Sequence, residues 1–304
     1  MNLKQHLEKS GAFEDVQKVI LAAAEAGKEI YQALKTQKIE YSLSKNISGE
    51  RQLSHDLIAD KILKKAFEDS RSVSCFVSEE RDTELCFVKH VPEKLLVAFD
   101  PIDGSSVAGA GLAVGTSLGI YRGAKNFLSI TGRNQVAAMY LLYGPRVLLV
   151  YTVCKGVHLF VLNEKTGDFK LEQENIKIDE DAKVCGFGGM QKASQVAGFP
   201  ALISYWEQEN FTLRYSGSMT ADVNGILKRG AGIFVYPAAK LRMLYECNPF
   251  ALLVEEAGGS ARDLCGRDIL DIPISAIDAR SPILIGAKKE VEIAEKFLFH
   301  NCKK

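Results

Sequence analysis

The chain has 304 residues, of which 47% are hydrophobic and 25% are charged, proportions that are typical of a globular protein and exclude a disordered chain. Its 38 basic and 38 acidic side chains cancel, which argues against a polybasic nucleic-acid-binding protein. The N-terminus is too polar for a secretory signal and no apolar stretch reaches the ~18 residues of a membrane span, so we expect a cytoplasmic protein without nucleic-acid or membrane partners.

Apolar residues at helical spacing predict helices over 12–36 and 52–68 in the first part of the chain. Short apolar runs rich in β-branched or aromatic residues follow and predict strands. These runs cover 72–77, 95–99, 117–121, 136–143 and 146–153. The pattern then turns polar, and the letters NEKTGDF predict a hairpin turn.

The second half of the chain mixes helices and strands in a different order. Predicted helices lie near 191–209, 219–229 and 246–257, and predicted strands near 232–236 and 282–286. The elements do not follow a strict βαβ alternation, which favours a layered α+β or α/β sandwich, with mixed sheets between helix layers, over a parallel barrel. The glycine-rich segment near 183–190 predicts a domain boundary.

The seven cysteines are scattered along the chain, and no two of them form a CxxC pair. Their spacing predicts neither a zinc ribbon nor a disulfide framework. We therefore expect the reduced thiols of a cytosolic enzyme.

The most informative segment is LLVAFDPIDGSS, residues 95–106. An apolar strand leads directly into Asp100 and Asp103, and the intervening proline and Gly104 favour a tight turn. Such a turn would aim both carboxylates and the carbonyl oxygen of Ile102 to one side, which suits a hard divalent cation. Without a cation the two charges would repel each other.

The residues that follow, Gly104, Ser105 and Ser106, offer backbone N–H groups suited to cradling phosphate oxygens. A D-x-x-D pair alone could equally be a solvated turn after a strand. The longer string DPIDGSS is the more specific signal.

Two further acidic positions favour a metal site. Glu79 and Glu80 end another apolar run, although an exposed pair that closes a strand would look the same. Glu246 lies within an apolar run, and a buried acid needs a metal or a basic group as its partner.

Basic and aromatic side chains are concentrated in TLRYSGSM and YPAAKLR. Arg214, Lys240 and Arg242 could supply phosphate contacts. Gly217 and Ser218, at a predicted helix start, would add an anion-binding N-terminus. The tyrosines of both segments could equally be packing residues.

The string DPIDGSS, preceded by VSEE and followed by VGTSLGIY, resembles the sugar bisphosphatases, the family of fructose-1,6-bisphosphatase and sedoheptulose-1,7-bisphosphatase. RYSGSMTADVNGIL, GIFVYP, KLRMLYECNP and EEAGG extend the resemblance over nearly the whole chain. It implies a homodimeric or homotetrameric phosphoric monoester hydrolase that uses Mg²⁺, or alternatively Mn²⁺, to remove the 1-phosphate of a ketose bisphosphate. It also implies a metal-binding phosphatase domain over 1–185 and a sugar-phosphate-binding domain over 186–304.

The same resemblance assigns roles to residues. The metal ligands it implies are Glu50, Glu79, Asp100, the carbonyl of Ile102, Asp103 and Glu246, and Glu50 stands where the family usually has aspartate. Asp56 and Glu80 would take a proton from the attacking water, and Asp103 or a metal-bound water would assist the leaving oxygen. Gly104, Ser105 and Ser106 would hold the phosphate that is cleaved. The sugar and the distal phosphate would contact Arg214, Tyr215, Ser216, Gly217, Ser218, Met219, Tyr236, Lys240, Leu241 and Arg242.

The motifs do not all indicate the same substrate. NQVAAMYLLYGPR and FTLRY are more similar to sedoheptulose-1,7-bisphosphatase, whereas YECNP is more similar to fructose-1,6-bisphosphatase. We favour the seven-carbon substrate, with fructose 1,6-bisphosphate as the alternative and an inositol phosphate after it. The family's Asn-Glu-Gly-Tyr phosphate segment is missing, and the letters GFGGM stand near its place.

Two other functions stay open on the sequence. The glycines of GAGLAVG, over 109–115, superficially fit a dinucleotide-binding loop of an oxidoreductase, but the acid that would bind the ribose is lacking until Glu164. A non-catalytic sugar-phosphate sensor would keep the fold. Such a sensor would have lost catalytic activity, and the intact acidic positions of the main site argue against this loss.

Overall fold

The computed structural model of the protein describes residues 1–38, 41–45, 51–88, 94–124, 126–178 and 183–298, with the backbone alone at 41–45, 51, 52 and 129. Helix layers alternate with two large sheets, and three apolar cores fill the spaces between them. This confirms the predicted layered fold with mixed sheets between helix layers. Within the described ranges, no helix combines the length and the apolar content needed to cross a membrane.

The first layer consists of α1 (Leu3–Ser10), α2 (Glu14–Thr36) and α3 (Ser54–Ser70). The last two confirm the predicted helices, whereas α1 is too short and polar to have been predicted. A stripe of small residues lets α2 lie close to the first sheet. At Gly27 a Cβ atom would come within 2.5 Å of a methyl group of Leu141.

The first sheet has the strand order β10-β9-β8-β7-β6-β5-β3-β4. Its strands are β3 (Val73–Ser78), β4 (Leu85–Cys86), β5 (Leu95–Asp103), β6 (Val114–Tyr121), β7 (Gln135–Tyr143), β8 (Val147–Thr152), β9 (Val157–Asn163) and β10 (Asp168–Gln173), and β1 (Tyr41–Lys45) and β2 (Arg51–Leu53) form a separate ribbon. Strands β3 and β5 run parallel, and the other neighbours in the sheet are antiparallel. The predicted turn over NEKTGDF connects β9 to β10.

The second sheet has the order β12-β11-β13-β15-β14. Its strands are β11 (Val184–Phe187), β12 (Thr212–Leu213), β13 (Ile233–Arg242), β14 (Ser260–Arg262) and β15 (Arg280–Gly286). The remaining helices are α4 (Ser105–Ala108), α5 (Met190–Ala193), α6 (Phe199–Gln208), α7 (Met219–Arg229), α8 (Asn248–Glu256) and α9 (Lys288–Leu298). Helices α7 and α8 pack between the two sheets, and α6 and α9 cover the outer face of the second sheet.

The helix predicted over 191–209 is interrupted. It divides into α5 and α6 because Gly198 has a φ of 81°, and a Cβ atom there would lie 1.9 Å from the carbonyl oxygen of Phe297. The close approach of another chain segment, invisible in the local pattern, therefore separates the two helices.

The prediction of reduced cysteines is wrong for part of the set. Cys75 and Cys86 form a disulfide bond, and Cys265 is also disulfide-bonded. Cys75 and Cys86 are direct partners in the antiparallel register of β3 and β4. Their spacing of 11 residues gave no signal, because strand register rather than sequence separation brings the two sulfur atoms together.

Candidate active site

Two aspartates lie on one side of β5 because this strand contains a bulge. Asp100 pairs with Ser117 and Asp103 pairs with Gly115, so three residue steps on β5 face two on β6. Side chains alternate along a strand, and residues three apart would otherwise point to opposite faces. The extra residue restores a common side. The predicted tight turn is therefore a bulged strand end that brings the two carboxylates together as expected.

Strand β3 brings Glu79 to the same edge of the sheet. Because β3 runs parallel to β5, the carboxyl ends of the two strands are adjacent, and Ser78 pairs with Phe99. The backbone N–H of Glu79 donates to the carbonyl of Phe99 at 3.2 Å. Glu79 is buried and close enough to Asp100 to form a hydrogen bond with it.

The third chain segment of the site supplies Glu246. It lies in a π-helical turn, Met243–Cys247, directly before α8, and such turns are frequent at functional sites. Asp100, Asp103 and Glu246 each offer a carboxylate oxygen within 4.8 Å of the other two. All three side chains are buried. Acids far apart in the sequence thus converge, as the sequence predicted.

The start of α7 fixes the orientation of Asp103. The Ser218 hydroxyl and the backbone N–H of Thr220 each donate to Asp103 at 2.6 Å, and the N–H of Met219 donates at 3.3 Å. The sequence predicted an anion-binding N-terminus at this helix start. In the structure the N-terminus holds the carboxylate of Asp103, an anion that the helix dipole favours.

One buried cation faces the carboxylates. The Arg242 guanidinium forms an ion pair with Glu79 at 2.7 Å and lies 3.8 Å from Glu246, while its backbone N–H donates to Glu246 at 2.6 Å. Only 3% of Arg242 is exposed. Burial alone would lower the pKa of Arg242, but the attraction of Glu79 and Glu246 outweighs it and raises that pKa. Arg242 therefore stays charged beside the acids.

The acids nevertheless outnumber this cation. Burial, and then repulsion from Glu79 and the other carboxylates, raises the pKa of Asp100 well above its usual range. Burial and Glu79 likewise raise the pKa of Glu246 to about 8. Excess negative charge on buried oxygen donors fits a hard divalent cation, which would compensate both the burial and the repulsion.

Asp56 lies at the first turn of α3. One of its oxygens accepts the backbone N–H of Leu53 at 2.9 Å, and the other is buried without a hydrogen-bond partner among the described residues. Burial raises the pKa of Asp56 to about 7, and repulsion from Glu79 contributes. Glu80 is partly exposed and does not line the cavity above these acids, and Glu50 lies outside the described residues.

The cavity above the acids, which we call the catalytic cavity, contains most of the predicted substrate contacts. Its lining consists of Glu79, Asp100, Ile102, Asp103, Gly104, Ser105, Ser106, Tyr215, Gly217, Met219, Phe234, Tyr236, Lys240, Leu241, Arg242 and Glu246. Gly104 has a φ of 83°, and a Cβ atom there would lie 2.5 Å from the Cβ of Ser218. The chain can therefore turn toward Ser105 only with glycine at this position.

Three predicted substrate contacts are absent from this lining. The Ser218 hydroxyl donates to Asp103, and the Ser216 hydroxyl donates to the carbonyl of Ser218 at 3.0 Å. The exposed Arg214 lines a neighbouring cavity beside Arg229 instead. Conversely, Phe234 lines the catalytic cavity and was not predicted, because its apolar strand context resembles that of any core residue.

Comparison with known families covers both halves of the chain. A family model described as the N-terminal domain of fructose-1-6-bisphosphatase matches residues 1–174, and the corresponding C-terminal domain model matches residues 178–299. A fructose-1,6-bisphosphatase class 1 of Geobacter metallireducens is 40% identical, covering 99% of this chain and 96% of that protein. The class 1 protein of Campylobacter concisus is 33% identical, with 93% and 98% covered.

Solved structures that superpose well on this chain carry names from the same family. The fructose-1,6-bisphosphatase of Leishmania major in its holo form superposes with a TM-score of 0.90 at 28% identity, covering 98% of each chain. A Toxoplasma gondii protein provisionally named sedoheptulose-1,7-bisphosphatase superposes equally well, with a TM-score of 0.90, 29% identity and 99% of each chain covered.

Proposed function

The chain belongs to the fructose-1,6-bisphosphatase family and is a sugar bisphosphatase, and from that premise we propose that its substrate is fructose 1,6-bisphosphate, cleaved at the 1-phosphate. The observation that carries this proposal is the polarity of the catalytic cavity. Its floor holds the carboxylates of Asp100, Asp103 and Glu246, and its rim holds Lys240. A molecule with a phosphate at each end suits such a cavity.

The comparisons favour the six-carbon substrate over the seven-carbon one that the sequence motifs suggested. The relatives from Geobacter metallireducens and Campylobacter concisus both carry the name fructose-1,6-bisphosphatase. The Toxoplasma gondii structure is the reason to keep sedoheptulose 1,7-bisphosphate as the second candidate.

For the metal we propose Mg²⁺, with Mn²⁺ as the alternative, held by Glu79, Asp100, Asp103, Glu246 and the carbonyl of Ile102. The buried, mutually repelling carboxylates support this assignment. A bound divalent cation supplies positive charge that neutralises phosphoryl oxygens and activates water. The chain itself contributes position, because the bulge of β5 and the N-terminus of α7 fix Asp103 before any ligand binds.

We propose that Asp56, together with Glu80, accepts a proton from the attacking water. The pKa of Asp56, about 7, lies near neutral pH, where a general base works best. Its unpartnered buried oxygen supports a role in accepting a proton. The segment Gly104, Ser105 and Ser106 would hold the phosphate that is cleaved.

Two further assignments follow from the family resemblance. We propose a homodimer or homotetramer in which the exposed Arg214 reaches the site of a neighbouring subunit, and its position outside the catalytic cavity supports this. We also propose that 1–185 act as the metal-binding domain and 186–304 as the sugar-phosphate-binding domain.

The experiment that tests the substrate is a comparison of kcat/KM values with Mg²⁺ and with EDTA. It uses fructose 1,6-bisphosphate, sedoheptulose 1,7-bisphosphate and an inositol phosphate, with phosphate release as the readout. We expect the highest value for fructose 1,6-bisphosphate and no turnover in EDTA. A higher value for the seven-carbon substrate would overturn the choice of sugar, and no release from any substrate would favour a non-catalytic sensor.

A further inference from the structure

A second cluster of potential metal ligands lies outside the catalytic cavity. His6 on α1, His158 on β9 and Glu174, which directly follows β10, each offer a nitrogen or oxygen atom within 4.8 Å of the other two. None of the three lines the catalytic cavity. The fold therefore brings together metal-binding side chains from three segments that are far apart in the sequence.

Strand pairing and the packing of α1 create this cluster. Tyr151 and His158 are direct partners in the antiparallel register of β8 and β9, so their side chains leave the same face of the first sheet. The centroid of the His6 ring lies 5.8 Å from that of Tyr151 and 4.4 Å from that of His158. The N–H of Leu171 donates to the carbonyl of Met1 at 3.0 Å, which holds the start of α1 beside β10.

The two ring nitrogens of His6 have separate partners. Nδ1 lies 2.5 Å from the Tyr151 hydroxyl, and Nε2 lies 3.1 Å from a carboxylate oxygen of Glu174. Two donors that are each ~2.0 Å from one tetrahedral ion lie about 3.3 Å apart, so Nε2 and this oxygen are already close to the separation that a shared ion requires. A metal-binding histidine usually has a hydrogen-bond partner on its other ring nitrogen, and Tyr151 takes that place here.

His158 has the same arrangement. Its Nε2 lies 3.3 Å from the carbonyl of Lys155, and a carbonyl can only accept, so the hydrogen of the neutral ring is on Nε2. Nδ1 then carries the lone pair. The backbone N–H of Asn175 lies 3.4 Å from Nδ1, beyond the ordinary range of such hydrogen bonds, and this contact places Nδ1 beside the residue that follows Glu174.

The two rings are buried, whereas the carboxylate is accessible. Only 4% of His6 and 5% of His158 are exposed, but about half of the Glu174 side chain is exposed. Burial, and then the nearby His6, lower the pKa of His158, so this imidazole is neutral at neutral pH, the form that binds metals. Glu174 supplies negative charge and a route by which an ion can enter from solvent.

We propose that His6 Nε2, His158 Nδ1 and the Glu174 carboxylate bind a Zn²⁺ ion, with water in the fourth position. Two imidazoles and one carboxylate form a known donor set for zinc. Nitrogen donors favour Zn²⁺ over Mg²⁺, whereas the oxygen donors of the catalytic cavity suit Mg²⁺. The ion would fasten α1 to β9 and to the end of β10. The proposal uses no catalytic residue and does not depend on the proposed function.

The test is a calorimetric titration of the chelator-treated protein with Zn²⁺. Excess Mg²⁺ is present, because it competes for the oxygen donors of the catalytic cavity. We expect one tightly bound Zn²⁺ per chain. Glu174→Gln, a change at an accessible side chain, should weaken Zn²⁺ binding at least about 100-fold because it removes a ligand. Tyr151→Phe keeps the ligands but removes the partner of His6, and it should weaken binding about tenfold.

Glu164→Gln is the matched control. Glu164 is likewise a half-exposed glutamate beside a basic side chain, 3.4 Å from Lys35. Because it offers no ligand to the cluster, its replacement should leave Zn²⁺ binding at the wild-type value. A melting temperature that Zn²⁺ raises in Glu164→Gln but not in Glu174→Gln would support the site.

X-ray absorption of the protein with one equivalent of Zn²⁺ identifies the donors. We expect imidazole scattering from two histidines at Zn–N distances of about 2.0–2.1 Å, and its reduction in His6→Gln. No tight Zn²⁺ binding by the wild-type protein would overturn the proposal. A shell of oxygen or sulfur donors without imidazole would overturn it as well, as would equal Zn²⁺ affinities of Glu174→Gln and Glu164→Gln.

Discussion

The floor and the rim of the catalytic cavity are built in opposite ways. On the floor, Asp103 is buried and held by three donors from α7, and Glu246 accepts the backbone N–H of Arg242. On the rim, Lys240 and Tyr215 are exposed. The floor is fixed by backbone geometry from both sheets, whereas the rim depends on side chains that can move. Changes to the floor should therefore affect chemistry and stability, and changes to the rim should affect substrate choice.

The largest effect should come from the floor. Asp100→Asn removes one carboxylate of the cluster but retains an oxygen that can accept the N–H of Ile102, a bond of 3.0 Å in this structure. We expect kcat to fall by roughly 10³-fold, because the lost charge helps to bind the cation that stabilises the transition state. Phosphate release at saturating Mg²⁺ measures this loss.

The melting temperature in EDTA is the control for this variant. It should not decrease, because the neutral amide avoids the burial cost and the repulsion from Glu79 that disfavour an ionised Asp100. Wild-type turnover by Asp100→Asn would show that the floor is not the metal site.

The buried cation of the floor offers a sharp contrast with the rim. Arg242→Met leaves Glu79 and Glu246 buried without their guanidinium partner, so the metal-free protein should lose about 3–5 kcal/mol of unfolding free energy. Lys240→Met removes an exposed cation and should change it by less than about 0.5 kcal/mol. Urea denaturation in EDTA measures both values, and equal values for the two variants would contradict the distinction between floor and rim.

The disulfide bond closes a loop that contains Glu79, one acid of the floor. Breaking it with Cys86→Ser should lower the unfolding free energy by about 2–3 kcal/mol, the value expected for a loop of this length. The Mg²⁺ concentration needed for half-maximal activity should rise as well, because the loop that positions Glu79 is then less constrained. The free, exposed Cys154 provides the control variant, Cys154→Ser.

The Cys86→Ser experiment is done without reductant, because Cys265 is also disulfide-bonded. An unfolding free energy equal to that of Cys154→Ser would contradict the stabilising role of the Cys75–Cys86 bond.

The pH dependence of the metal-free protein tests the charge imbalance of the floor without a substitution. The folded-state pKa values of Asp56 and Glu246, about 7 and about 8, lie above those of unfolded carboxyl groups, near 4. The folded protein therefore binds more protons between these values, and its unfolding free energy falls as pH rises from about 4 to about 8. The melting temperature in EDTA should therefore drop over this range.

Mg²⁺ should reverse the drop at high pH, because the cation replaces the protons on the floor. A melting temperature that rises with pH in EDTA would contradict the charge imbalance.

Local patterns predicted the parts of the molecule that depend on local chemistry. The apolar strand before Asp100 and Asp103 indicated carboxylates at a strand end, and the apolar surroundings of Glu246 indicated a buried acid with a partner. Helix α7 starts at the predicted residue because Ser218 caps it, its side chain accepting the N–H of Ala221. These features are set within a few residues of chain.

Features that depend on tertiary contacts were not predicted. The sequence predicted an anion-binding N-terminus at the start of α7, but the contact between this N-terminus and Asp103 depends on the packing of α7 against β5. The register that pairs Cys75 with Cys86 is likewise a property of the assembled sheet.

The bulge of β5 makes the pairing of this strand with β6 a functional feature. Inserting one residue into β6 between Gly115 and Ser117 would leave both acids in the sequence and would let the two strands pair residue for residue. In that regular pairing one of the two acids would point to the opposite face of the sheet. Enzyme engineers who graft this motif onto another scaffold must therefore copy the bulged pairing of β5 with β6 as well as the residue sequence.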